Sequence, residues 1–266
     1  MKTKVIALSA GHGYYTAGKR CMKALDENQT REWFLNDRIM DLVEEQLKKY
    51  KCKVLRVDDT TGAKDIKRSV RVKSANSAKA DIYLSMHHNA GINGGVGGGT
   101  VVFYYPADDC QAVATKLYQS IVTQTGLRGN RATPIANGKH LEVINSTKMP
   151  AFLVENGFMD SQADVPIILS KEHAGKTAVG VVNFLIEHLG LEVCEAAEKE
   201  VSAVYYLACN KKYVSIVVAL NSIGVDGSFS HRAQIAKANH IAGYLGTAAQ
   251  NIRMLNLLKA GLLKMA

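Results

Sequence analysis

The chain of 266 residues has no C-x-x-C pair, and its five cysteines, at 21, 52, 110, 194 and 209, are odd in number and scattered. That spacing excludes a cysteine-based metal knuckle and a dense disulfide scaffold, and it implies reduced thiols. Cys52, within Lys51-Cys52-Lys53-Val54-Leu55, reads as a strand residue that packs as a small hydrophobe. No apolar run approaches the roughly 20 residues that cross a bilayer, so no membrane insertion is expected. The run Val5–Ala10 after a basic start falls short of a secretory h-region of roughly 7 to 15 apolar residues, and cleavage after Ala10 would leave His12 on a frayed end. Synthesis in the cytoplasm without a signal peptide is the expectation. Nucleotide chemistry is also missing. Gly94-Gly95-Val96-Gly97-Gly98-Gly99 lacks the Lys and Ser/Thr of a phosphate-binding loop, and Gly11-His12-Gly13 lacks the further glycines of a dinucleotide fingerprint. The glycine run reads as a flexible connection into the next strand rather than a mobile lip.

What remains is a soluble globular composition, 47% hydrophobic and 21% charged, long enough for one large core or two unequal domains. Acid is scarce at one end: residues 204–266 hold 7 Lys+Arg against 1 Asp+Glu, whereas the formal charge of the whole chain is +9. A small basic segment suggests attraction to a polyanion, whether nucleic acid, anionic lipid or the phosphate-bearing polymers of a bacterial wall, and charge alone does not choose among them. Nucleic acid ranks last, because the segment has few aromatics for base stacking, Phe229 and Tyr244 among them.

Short β-rich runs at 3–9, 52–57, 81–87, 99–105, 141–145 and 151–155 alternate with helical patterns at 30–50, 65–79, 109–125 and 171–189. The expected fold is an α/β domain over 1–190, a twisted and mostly parallel sheet with helices on both faces. A linker follows at 191–203, then a small, mainly helical domain at 204–266. There, 214–223 reads as a helix closed by Gly224, 230–240 as another, and Thr247-Ala-Ala-Gln250 as a capping box ahead of Ile252, Leu255 and Leu258, in a helix ended by Gly261.

Chemistry concentrates in four strings: Ser9-Ala-Gly-His-Gly13, Glu32-Trp-Phe-Leu-Asn36, Ser85-Met-His-His-Asn-Ala90 and Met149-Pro-Ala-Phe-Leu-Val-Glu-Asn-Gly-Phe158. His12 follows the first strand and His87 ends the third, the carboxyl-end positions where open α/β sheets place ligands. Glu32 opens the helix between strands one and two and can face the same crevice. Two His and one carboxylate are an established set for a catalytic zinc ion with an open position for water. Adjacent strand residues point to opposite faces, so at most one of His87 and His88 joins the metal, and Ser85, His87 and Asn89 share a side. Glu155 ends an apolar strand, where an ionised group needs a partner, and could serve as general base and then general acid. Glu27 is the rival to Glu32. Trp33, the one tryptophan, reads as core or pocket wall, and His231 and His240 as ordinary surface residues.

In this order the four strings resemble the zinc-dependent N-acetylmuramoyl-L-alanine amidases of bacterial autolysins and phage endolysins, over residues 1 to about 190. The resemblance implies one Zn2+ on His12, Glu32 and His87, with Glu155 as catalytic acid/base. It implies cleavage of the amide between the lactyl group of N-acetylmuramic acid and L-alanine in peptidoglycan. Asn36, four residues after Glu32, fits the family's spacing and favours Glu32 over Glu27. Asn145 stands where the family often has Arg, and it and Asn89 are the candidate substrate contacts. Asp226-Gly-Ser-Phe-Ser-His-Arg232 and Gly246-Thr-Ala-Ala-Gln-Asn251 resemble, more weakly, wall-targeting modules of clostridial enzymes. With no secretion signal expected, the setting implied is a phage lysin released through a holin pore; a sporulation autolysin of the same chemistry and a non-catalytic wall-binding protein are the alternatives.

Overall fold

A computed structural model of the chain describes residues 3–106, 109–194 and 206–266. The chain divides into two compact units, Met1–Cys194 and Glu195–Ala266. Most of the expected linker lies outside the described residues.

The first unit is built on a six-stranded sheet: β1 (Lys4–Ala10), β2 (Cys52–Arg56), β3 (Ile82–Asn89), β4 (Thr100–Tyr104), β5 (Ile135–Asn137) and β6 (Ala151–Phe158), in the order β2-β1-β3-β6-β4-β5. β1, β2, β3 and β6 run parallel, and β4 joins β6 antiparallel with β5 parallel to it. Among the described residues six helices surround it: α1 (Glu32–Leu47), α2 (Arg68–Ser77), α3 (Cys110–Thr125), the single turns α4 (Glu142–Asn145) and α5 (Val165–Ile168), and α6 (Lys171–Leu189).

Strand alternation sorts the core into two layers. Ile6, Leu8, Ile82, Leu84, Met86, Phe152 and Val154 pack on residues of α1, α3 and α6 such as Ile39, Leu117 and Val181. Ala7, Tyr83, Ala151 and Leu153 turn the other way, onto Val72 and Ala75 of α2 and Val143 and Ile144 of α4. Each fully buried aliphatic side chain contributes about 1.5–3 kcal/mol, and both faces of the parallel strands are covered, which is why their sequences read as near-continuous apolar runs. The ends of α6 have local causes. Ser170 accepts from the His173 amide at 3.0 Å at the amino end, and Gly190, at φ 61, supplies the left-handed turn at the other.

Two expectations need correction. Residues 141–145 are not a strand: Leu141 and the turn α4 fold back on themselves, the Asn145 amide bonding the Leu141 carbonyl at 2.9 Å. The β-branched Val143 and Ile144 are buried against the sheet rather than within it, so tertiary packing overrides their strand propensity. The sheet gains instead the short β5, which lacked an alternating pattern long enough to announce it. The glycine run is hydrogen-bonded at both ends: the Gly94 amide donates to the Asp160 carbonyl at 2.7 Å, the Gly98 amide to Asn130 Oδ1 at 3.0 Å and the Gly99 amide to Asp164 Oδ2 at 2.7 Å.

The second unit has its own core, including Tyr206, Ile216, Leu220, Ile235, Met254 and Leu258. It holds α7 (Ile216–Asn221), α8 (Phe229–Ala238) and α9 (Ala248–Lys259) among the described residues. The capping box is present in full: Thr247 accepts from the Gln250 amide, and Gln250 Oε1 from the Thr247 amide. His231 is half-buried, and its Nε2 lies 3.0 Å from the Tyr206 hydroxyl.

Candidate active site

The carboxyl ends of β1, β3 and β6 meet the start of α1, and there the chain spends its irregular backbone. The Gly11 amide bonds the Met86 carbonyl at 2.9 Å. A Cβ on Gly11 would overlap the His87 ring, so only glycine admits that ring here. His12 follows at φ 66, a left-handed conformation that non-glycine residues seldom adopt. Arg71 of α2, only 3% exposed, holds this strained segment: its guanidinium donates to the carbonyls of Ala10 and His12, to Ser9 Oγ at 2.7 Å and to Asp65 at 3.3 Å.

Glu32 is buried at the first position of α1. Its Oε1 lies 3.4 Å from His12 Nε2 and 3.1 Å from His87 Nδ1, and accepts from the His88 amide at 3.3 Å. Burial works against its charge, but hydrogen bonds to His12 and His87 and their proximity outweigh it and hold the carboxyl well below its ordinary range. Burial lowers the His87 pKa. Glu32 Oε2 is buried without a hydrogen-bond partner, with Lys19 Nζ 3.7 Å away.

These three residues fit a metal ion. One donor atom from each of His12, Glu32 and His87 lies within 4.8 Å of the others. Donors around a tetrahedral ion with bonds of about 2.1 Å stand about 3.4 Å apart, close to the observed 3.4 and 3.1 Å. Oε1, which faces both imidazoles, is the oxygen placed to bond the ion, while Oε2 keeps Lys19 Nζ at 3.7 Å as its counter-charge. The rival Glu27 is exposed.

Glu155 stands beside His87 in register on the neighbouring strand. Burial, and then the negative charge of Glu32, push its pKa up to about 8, against the pull of Lys19. Its Oε2 has no hydrogen-bond partner. His12, His87, Glu155 and Ser85 line one cleft of about 670 Å³, whose rim carries Lys19, Lys67, Arg68, Asp65 and Glu142.

A buried polar network braces the site from behind. Asn36, one turn after Glu32 and fully buried, donates through Nδ2 to the Gly11 carbonyl at 3.2 Å, and its Oδ1 faces His88 Nδ1 at 2.8 Å. Because a carbonyl only accepts, the carboxamide orientation is set and His88 must carry its proton on Nδ1. Burial pushes the His88 pKa down to about 3, so the ring is neutral. Asn156, next to Glu155, reaches His173 at 3.0 Å and Thr177 at 3.1 Å on α6.

The structure therefore brings His12, Glu32, His87 and Glu155 together, but it does not bring Asn89 and Asn145 to the cleft wall. Asn89 Oδ1 turns onto the Ala90 amide at 2.8 Å, and the pairing of β3 with β6 shifts register between His87 and Asn89, which ends the simple alternation. Asn145 Nδ2 donates to the Lys139 carbonyl at 2.9 Å. Trp33 is core, 8% exposed. Sequence reasoning missed Arg71 and Lys19. Arg71 left one signal, a cation one turn before the buried Ala75 on the inner face of its helix.

Comparison with known proteins places this arrangement. The family model described as N-acetylmuramoyl-L-alanine amidase matches residues 6–187. CwlM, an N-acetylmuramoyl-L-alanine amidase of Bacillus licheniformis, is 32% identical over 141 residues, 52% of each chain. LytH, a probable cell wall amidase of Staphylococcus aureus, is 33% identical over 95 residues, 36% of this chain and 31% of its own. The chain spans about half or less of the length of the curated relatives it matches. Among solved structures, the catalytic domain of the amidase CwlV from Bacillus (Paenibacillus) polymyxa superposes with a TM-score of 0.63 at 25% identity, covering 71% of this chain and 100% of that one. The catalytic domain of the CD27L endolysin does so at 0.52 and 21%, covering 68% and 97%, a likeness of fold. Since the matched stretch runs from β1 to α6 and takes in the whole sheet, the chain belongs to the N-acetylmuramoyl-L-alanine amidase family.

Proposed function

We propose that the first unit hydrolyses the amide joining the lactyl group of N-acetylmuramic acid to the L-alanine of the stem peptide in peptidoglycan. The observation that carries this reading is the donor set of His12, Glu32 and His87, of which His12 and His87 line the same cleft as Glu155. The three donors suit zinc, which when bound supplies Lewis acidity, polarising a carbonyl and making water a nucleophile at neutral pH. Glu155, in its ionised form, takes a proton from the attacking water. As the water oxygen bonds to the lactyl carbon and the carbon–nitrogen bond breaks, Glu155 returns that proton to the alanine nitrogen. Lys19, whose charge pulls against the raised pKa of Glu155, favours the ionised starting state. Arg71 and Asn36 keep His12 and His87 aimed at Glu32.

For the setting, we read the enzyme as an endolysin that reaches the wall after release, with residues 204–266 as a wall-binding domain. Support comes from the separate core and basic charge of that unit. A sporulation autolysin would share the chemistry, and the two part on whether the protein accumulates on prophage induction or in the mother cell.

The test is digestion of purified peptidoglycan by the zinc-loaded and chelator-treated protein, with mass spectrometry of the products. Stem peptides with a free L-alanine amine, formed only with metal, are expected. Cleavage elsewhere in the peptide, or no cleavage of any wall, would overturn the reading.

A further inference from the structure

Aromatic side chains are few in this sequence, 7% of residues, yet several crowd the two segments that carry His12 and Glu32. Tyr14 lies two positions after His12, and Trp33 and Phe34 directly follow Glu32. Tyr14, Tyr15 and Phe34 are 41%, 76% and 46% exposed, a poor use of apolar area unless something covers it. The Tyr14 ring meets Tyr15 edge-on at 5.2 Å and Trp33 at 6.0 Å, and the Arg31 guanidinium sits 6.0 Å from its centroid. Tyr14 and Phe34 flank a depression of about 450 Å³ whose walls carry Arg20, Asn28, Gln29 and Arg31.

The turn that forms one wall is held by a side chain that has no other task in view. Asp26 is buried; its carboxylate accepts from the amides of Asn28 at 3.2 Å and Thr30 at 2.6 Å, and its carbonyl from Gln29 at 2.9 Å. The turn holds Gln29 at φ 48, where a residue with a Cβ is strained. Glycine would suit that backbone better, but it would leave no carboxamide on the wall. Strain retained by a buried brace is the pattern of a backbone kept for what it presents.

The lining selects its ligand. An apolar segment would leave two guanidinium groups and two carboxamides without partners, and a simple anion would gain nothing from the ring faces. A neutral pyranose uses both: its C–H faces lie on the negative faces of aromatic rings, and its hydroxyl and acetamido groups exchange hydrogen bonds with planar amides and guanidinium groups. The metal-site cleft is different in kind, edged by Lys19, Lys67 and Arg68 together with Asp65 and Glu142, so that charged groups rather than ring faces and carboxamides dominate its edge.

We propose that this depression is a subsite for the N-acetylated sugars of a glycan strand. The strand then lies over Tyr14 and Phe34 while the stem peptide runs toward Lys67 and Arg68. The assignment rests on the amidase reading above for the identity of the polymer, but it can fail separately.

The full-length, metal-free protein is titrated with the tetramer of N-acetylglucosamine, following the fluorescence of Trp33, the chain's single tryptophan, whose ring neighbours Tyr14. Saturable binding is expected, weakened at least about tenfold in Phe34→Ala and in Gln29→Gly. The first removes an exposed ring, and the second relieves the strained turn, so circular dichroism should show both folded. Absence of saturable binding, or variants that bind the tetramer as the parent does, overturns the subsite. Tetramer binding lost in both variants, together with a wall digest that releases no L-alanine amine, would keep the sugar site and sink the amidase reading.

Discussion

Two clusters of charge lie at the carboxyl end of the parallel strands, and they are solved in opposite ways. At the end of β2 the Arg56 guanidinium, 8% exposed, meets Asp37 and Asp41 at 2.6 Å and Asp58 at 2.7 Å. Burial lowers its pKa, but the three carboxylates raise it further, and the net shift is upward. Farther along the same edge, Glu32 at the start of α1 and Glu155 on β6, three strands from β2, each keep a buried oxygen with no hydrogen-bond partner. The first cluster is closed and serves architecture. The second is left open, and an open buried carboxylate persists only where a ligand or a proton completes it.

The comparison can be broken at four places. Glu155→Ala should lower kcat/KM for peptidoglycan by about 10³-fold or more, at the upper part of what a positioned acid/base contributes. Metal content and melting temperature should stay near the parent values, and retained turnover would remove Glu155 from its role. Arg56→Met strips the closed cluster of its cation and strands three acids; unfolding in denaturant should show a loss of about 3–5 kcal/mol, with zinc affinity of the folded protein unchanged. Asn36→Ala cuts the tie between α1 and both histidine segments, and competition with a chelator should show zinc held about 10–100-fold more weakly. The smallest effect concerns pH. The Glu155 carboxyl, at about 8 when folded and 4.5 as the reference value, binds its proton more tightly in the folded state. It therefore stabilises the metal-free protein fully below about pH 4.5, and that contribution is lost as pH rises through 8. Glu155→Gln should raise the melting temperature of the metal-free protein by a few °C at pH 8.5 and hardly at all at pH 4.5; an equal gain at both would show that burial is not the cause.

Much of the site was legible because its residues stand where strands end. His12 and His87 follow apolar runs, and Glu155 interrupts one, so position along the chain alone carried them to the same edge. Asn36 was legible only as a spacing, and its work was not, since its partners Gly11 and His88 come from other segments. Arg71 and Lys19 are ordinary cations in the string of letters; only the folded chain shows one buried on carbonyls and the other facing two acids. The reading of 141–145 as a strand went wrong for the converse reason. Val143 and Ile144 are buried, but their burial is against the sheet and not in it.

Gly11 has a consequence for the history of such chains. Because a side chain there would occupy the space of the His87 ring, two letters far apart in the sequence are not free to drift independently. A descendant that lost the imidazole would release the glycine, and one that gained even an alanine at position 11 would have to surrender the imidazole's place. Relatives that have given up catalysis should therefore show the two positions decaying as a pair.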